Sequence, residues 1–216
     1  MKILFLGDSY STAHEGWPSR VANILNAEAV NHSRPASSLN YMFTKLDYAL
    51  KHEFYDVVIC TITSGDRLFH RDKLIHGGFP QYHDGTPLVD REKEAIKLFY
   101  TYLWDSQNGF INEQVFRLAM SAISLLHTDT KFIFLPAFGS WEHVPVGNYA
   151  YTNPRLAEFS ELDTRSQQLE FNGKPSTRLN HLTLQQNNDL ANCIVDMIKQ
   201  YDFNTVSKYE INLSRI

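Results

Sequence analysis

A three-layer α/β domain with a central parallel sheet is what the sequence predicts, and three observations predict it. Continuous apolar runs at residues 3–6, 57–62 and 131–135 have the character of strands covered on both faces. Between and after them come stretches with apolar residues at helical spacing, at 17–25, 38–52, 114–126 and 184–201. Polar turn residues follow the first and second of these runs, as Gly7-Asp8-Ser9 and Ser64-Gly65-Asp66. Strands that alternate with helices argue for a parallel sheet with helices on both sides.

Taken in order, the run at 3–6 ends at a tight turn, which makes it a central strand. Trp17, Val21, Ile24 and Leu25 then mark a helix, with Pro18 tolerated in its first turn. Residues 27–31 form a short second strand candidate, and Leu39, Met42, Phe43, Leu46, Ala49 and Leu50 mark the second helix. The run Val57-Val58-Ile59-Cys60-Thr61-Ile62 is the strongest strand signal in the chain. Leu190, Cys193, Ile194, Met197 and Ile198 share one face of the closing helix.

Two segments break this rhythm. Residues 67–112 read as a long excursion with a helix near 91–103, and 138–172 as a loop-rich segment after the fourth strand. Both leave from the carboxyl ends of strands, where open α/β sheets bind ligands, so both are candidates for a rim that shapes a substrate. Phe79, Tyr82, Phe99, Tyr100, Tyr102 and Trp104 give the first an aromatic density that suits either a sugar- or lipid-binding rim or a local core, as do Trp141, Tyr149 and Tyr151 in the second. Residues 209–213 could pair at a sheet edge or with a second subunit.

At 216 residues the chain fits a single domain able to bury a core without metals or disulfides. Hydrophobic residues at 43% and charged residues at 20% are globular proportions, with no run long or apolar enough for a bilayer. A formal net charge of -4 gives no bulk attraction to nucleic acid or to anionic lipid. Cys60 and Cys193 each fall in an apolar run and read as free thiols. The first residues lack the apolar length and cleavage site of a signal peptide, so a cytoplasmic location is expected.

Chemistry concentrates at the strand ends. Ser9 directly follows a buried strand, where a sharp turn into a helix can expose a hydroxyl and aim backbone N–H groups at an anion. Read alone, Gly-Asp-Ser is more often a routine turn and helix cap. His181 lies just before the last helix, where an isolated His is as readily a surface or capping residue.

Together these residues resemble the signature blocks of the SGNH (GDSL-like) hydrolases. Phe5-Leu6-Gly7-Asp8-Ser9-Tyr10-Ser11 is similar to the first block, and residues 31–38, Asn-His-Ser-Arg-Pro-Ala-Ser-Ser, fall where the second belongs. Thr63-Ser64-Gly65-Asp66 matches the third block, and Asn180-His181-Leu182-Thr183 the last. The resemblance implies a flavodoxin-like SGNH hydrolase fold and a serine esterase, with Ser9 as nucleophile and His181 as its base. Ser9, Ala36 and Gly65 would line the oxyanion hole, with Asp8, Ser64, Asp66, Arg34 and Arg67 near the substrate.

Three positions depart from the family pattern. Ala36 replaces a glycine whose main-chain N–H serves the oxyanion, a role alanine can fill where its backbone angles are allowed. Gly65 replaces an asparagine side-chain donor, a loss that can cost about 3 kcal/mol of transition-state stabilisation. Ser64, Arg67 and Arg34 are the nearest substitutes. Arg178 stands where the family has the aspartate that orients the His, which points to a Ser–His dyad oriented by a backbone carbonyl, or by Asp163 if the chain folds back.

The resemblance thus implies cleavage of an acyl ester in a small molecule or carbohydrate, possible targets being an O-acetylated sugar, a lipid or a short ester. A non-catalytic binding scaffold and an acyltransferase using the same Ser9 and His181 are the alternatives. No cofactor or metal is required. His70, His76 and His83 with Asp72, Asp84 and Asp90 crowd one segment, but their spacing matches no zinc or two-metal pattern.

Overall fold

A computed structural model describes residues 1–12, 15–35, 37–70, 73–75, 89–104, 106–138, 149–153, 156, 182–200 and 209–212. The chain runs β1 (Lys2–Leu6), a single 3-10 turn (Ser9–Ser11), α1 (Trp17–Leu25), β2 (Glu28–Asn31), α2 (Leu39–His52) and β3 (Val57–Ile62). It continues with β4 (Leu68–His70), β5 (Lys73–Ile75), α3 (Asp90–Tyr102), α4 (Ser106–Leu126) and β6 (Lys131–Pro136). It closes with β7 (Tyr149–Asn153), α5 (Leu184–Gln200) and β8 (Tyr209–Asn212).

The main sheet has the order β2-β1-β3-β6-β7-β8, and every neighbouring pair in it is parallel. With the separate β4–β5 hairpin set aside, its first five strands follow the flavodoxin-like order 2-1-3-4-5. The expected fold class, a flavodoxin-like α/β/α sandwich, is the one observed. The order reverses between β1 and β3, so the crevice that such sheets offer to ligands opens beyond Leu6 and Ile62.

Strand alternation divides the core into two halves. Ile3, Phe5, Val57, Ile59, Ile133 and Leu135 pack with residues of α1 and α5, including Val21, Leu190 and Ile194. Leu4, Leu6, Val58, Cys60, Phe132 and Phe134 face the other way, onto Met42 and Leu46 of α2 and Phe116 and Met120 of α4. All six residues of β3 are buried, which is why they read as one unbroken apolar run.

Helix ends follow from local chemistry. The Ser38 hydroxyl accepts the Tyr41 N–H at the start of α2. Asn26, with φ of 49°, ends α1 in the left-handed conformation that asparagine tolerates. Thr183 and Gln186 cap α5 reciprocally, each side chain accepting the other's backbone N–H.

Three expectations change. α4 begins at Ser106 rather than near 114, because Gly109 and Asn112, weak helix formers, are held by contacts to the loop after β3. The segment read as loop-rich contains β7, so Tyr149 and Tyr151 lie in the sheet rather than on a loop. Residues 67–112 include the antiparallel β4–β5 hairpin as well as the expected helix. Of the two pairings open to residues 209–213, the structure shows the sheet edge, with β8 lying parallel to β7. Both cysteines are free, Cys60 buried and Cys193 partly so. No helix among the described residues is long and apolar enough to cross a membrane.

Candidate active site

Ser9 opens the 3-10 turn at the end of β1, half-buried between two fully buried neighbours in space and sequence. The turn is held by Asp8, whose carboxylate accepts the Tyr10 N–H at 3.1 Å while its carbonyl accepts the Ser11 N–H at 3.0 Å. Ser11 and Thr61 join their hydroxyls beneath it. Gly7 is required by close approach, since a Cβ there would come within 2.6 Å of both Ser11 Oγ and Thr61 Cβ.

The loop after β2 is tied onto this turn. The Gly7 carbonyl accepts the Arg34 N–H at 3.0 Å and the Ser37 hydroxyl at 2.7 Å, and Asn31 Nδ2 donates to the Ser11 carbonyl at 2.9 Å. Ala36 lies outside the described residues, but Arg34 and Ser37 on either side of it are bonded to the residue two before Ser9. The loop after β2 therefore runs alongside the turn that carries Ser9.

The loop after β3 behaves differently. The Gly65 N–H donates to Glu113 Oε1 at 3.1 Å and its carbonyl accepts Asn112 Nδ2 at 3.2 Å, both from α4. A Cβ on Gly65 would lie 2.1 Å from the Gly109 carbonyl oxygen, so an asparagine cannot occupy this position without moving α4. Asp66 turns both carboxylate oxygens inward, accepting Trp104 Nε1 at 3.0 Å and the Ser64 hydroxyl at 3.2 Å. Its carbonyl accepts the Tyr100 hydroxyl at 2.7 Å. Burial first, and then the Asp66 charge, push the Tyr100 phenol up to about 12, so it stays a donor.

These contacts assign the helical aromatics. Phe99, Tyr100 and Trp104 pack on one another at centroid distances of 5.4 to 5.8 Å and brace the loop after β3, whereas Tyr102 is 76% exposed.

The five residues expected near the substrate separate in the same way. Asp8 is fully buried and pairs with Arg67 Nη1 at 3.2 Å, and Asp66 is spent on the scaffold, so neither offers its carboxylate outward. Ser64 is engaged with Asp66 through its hydroxyl in both directions. Arg34 sits over the Tyr41 ring at 5.9 Å. Arg67 is 9% exposed, stacked on Phe138 at 4.9 Å, and its Nε is buried without a hydrogen-bond partner among the described residues. It places an unused donor next to the residue preceding Ser9.

His181, Asp163 and Arg178 lie outside the described residues, as do His76, His83, Asp72 and Asp84. The two residues after His181 are described, and they are held by Asn187. Its Nδ2 donates to the Leu182 carbonyl at 3.1 Å and the Thr183 carbonyl at 2.9 Å, while its Oδ1 accepts the Trp17 N–H at 2.9 Å. The Trp17 indole in turn donates to the Tyr10 carbonyl at 2.9 Å. A chain of buried hydrogen bonds thus links the residue after Ser9 to the segment that follows His181. Sequence reasoning missed Asn187, although a polar residue at the inward spacing of Leu190 and Ile194 was a usable signal.

No family model matches the chain, and no curated protein matches it. Among solved structures it is similar to a catalytic mutant of an acetylxylan esterase from Geobacillus stearothermophilus, at 12% identity and a TM-score of 0.49, covering 94% of this chain and 95% of that one. It is also similar to a lipolytic protein of the G-D-S-L family from Desulfitobacterium hafniense, at 12% identity and a TM-score of 0.43, over 88% of this chain and 95% of that one. A third similarity, to an acetyl xylan esterase, has 12% identity and a TM-score of 0.39 over 100% and 78% of the two chains. These are likenesses of chain path at low identity, and the chemistry of this chain is read from its own residues.

Proposed function

We propose that this chain is a serine ester hydrolase of the SGNH type, with Ser9 as nucleophile and His181 as general base. The observation that carries the reading is the position of Ser9. It stands half-buried at the switch point of a flavodoxin-like sheet, in a turn held to the scaffold through the Asp8 carboxylate and the Gly7 carbonyl.

Ser9 Oγ attacks the ester carbonyl as His181 takes its proton, and the same imidazolium returns that proton to the leaving alcohol. Water then releases the acyl group. The backbone N–H groups of Ser9 and Ala36 hold the oxyanion. The Gly65 N–H is committed to Glu113, so the third donor falls to Arg67, whose guanidinium is fixed by Asp8 and whose buried Nε has no hydrogen-bond partner among the described residues. An arginine there also favours an anionic group on the substrate. The preferred class is an acyl ester on a carbohydrate, O-acetyl in the first instance.

The tied-back loop after β3 also favours a second reading, a binding protein on the same scaffold without turnover. Steady-state hydrolysis of short aryl esters and O-acetylated oligosaccharides separates the two. Wild type should turn over and Ser9→Ala should not, with both melting at the same temperature. Equal rates in the two proteins would refute Ser9 as nucleophile.

A further inference from the structure

α4 is built inside out with respect to charge. Its only charged residues, Glu113 and Arg117, point inward and pair at 3.3 Å, with side chains 15% and 2% exposed. Its outer face instead carries Ile111, Val115, Leu118, Ala122 and Leu125, all exposed, the four larger ones by 46 to 60%. Phe116 and Met120 fill the core on the opposite side, so the helix is apolar on both faces. A helix of that kind is normally covered on both sides.

The spacing of the outer residues is that of a seam between two helices. They recur at intervals of four, three, four and three, the alternation that keeps a narrow stripe facing one partner helix. The stripe carries no charge and is nearly symmetric about Leu118, with Ile111 and Leu125 each seven residues away. A surface of this kind complements itself when two copies meet antiparallel across a two-fold axis, Leu118 against Leu118 and Ile111 against Leu125. With no like charges opposed, nothing on the stripe resists that meeting.

We infer that the outer face of α4 is a homodimer interface, in which two copies of this chain pack α4 against α4 across a two-fold axis at Leu118. A helix of 21 residues is roughly 30 Å long, and two packed along that length bury on the order of 1,000 Å² in total, the lower end of what holds a specific dimer. The dimer is therefore expected to dissociate reversibly on dilution. The inference is independent of the chemistry at Ser9.

Sedimentation velocity over a range of concentrations tests it. Wild type should move from the 24.9 kDa monomer to twice that mass as concentration rises. Leu118→Glu and Leu118→Lys, at a site exposed in the monomer, should each keep the wild-type circular dichroism and remain monomeric, and an equimolar mixture of the two should recover the dimer. Leu118→Cys should cross-link to itself under mild oxidation and do so more readily than the wild type with its two natural thiols. A wild type that stays at 24.9 kDa at every concentration overturns the inference, whether the stripe is then covered by another part of the chain or by a different protein. A dimer that survives both Leu118 charge variants overturns it as well.

Discussion

The loops that follow β1 and β3 leave the same end of adjacent strands, yet they use their polar groups in opposite directions. After β1, bonds from Asp8, Arg34 and Ser37 stiffen the turn and, among the described residues, leave the Ser9 side chain outside the network. After β3, Gly65 and Asp66 are drawn away towards α3 and α4 by Glu113, Asn112, Tyr100 and Trp104. One loop is organised to present a group, the other to anchor a helix. Only the Asp8–Arg67 pair crosses between them among the described residues. The difference teaches that two adjacent strand ends can divide the work, one turn held rigid around Ser9 and the other spent on fixing α3 and α4.

Substitutions that cut or redirect the crossing pair should have the largest effects. Asp8→Ala leaves the Arg67 charge buried without its partner and should cost about 3–5 kcal/mol by chemical denaturation. A loss below about 1 kcal/mol would mean that the two loops are not coupled through this pair. Arg67→Lys keeps the charge but not the planar fork, and should lower kcat by about 10²-fold with KM little changed if Arg67 supplies the missing donor. A rise in KM alone would assign Arg67 to substrate binding instead.

Smaller effects are expected within the β3 loop. Gly65→Ala forces a methyl group against the Gly109 carbonyl and should destabilise by about 1–3 kcal/mol, with no gain in rate from the larger residue. Tyr100→Phe removes one hydrogen bond to the Asp66 carbonyl and should cost about 1 kcal/mol at neutral pH. Its pH dependence carries a sign. The phenol is raised from 10.0 to about 12 in the folded protein, so its contribution is present below pH 10 and lost as pH rises towards 12. Tyr100→Phe should flatten that part of the decline, as read from denaturation midpoints across the range.

Legibility in the sequence follows the range over which each feature is decided. The helix at 17–25 has the observed bounds because its start and its left-handed Asn26 end are set by neighbouring residues. The Gly7-Asp8-Ser9 turn was equally readable, since a buried strand must end where its apolar run does. The start of α4 was not, because Gly109 and Asn112 are helical only through contacts with a loop more than forty residues earlier. The inward turn of Asp8 and Asp66 is likewise decided by Arg67 and Trp104, partners 59 and 38 residues away that no local pattern selects. β7 escaped notice because its tyrosines suit a binding rim as well as a sheet. Asn187 shows the converse, a polar residue at an inward helical position whose partners become clear only once α1 and α5 meet.

The central claim is that Ser9 is an activated nucleophile, and it can be examined without knowing the natural substrate. Purified wild-type protein would be incubated with a fluorophosphonate, beside Ser9→Ala, and the adduct mapped by mass spectrometry. The account predicts a single phosphonyl adduct on the peptide carrying Ser9, absent from Ser9→Ala. A folded wild type that takes up no label, or one labelled equally in the variant, would contradict it.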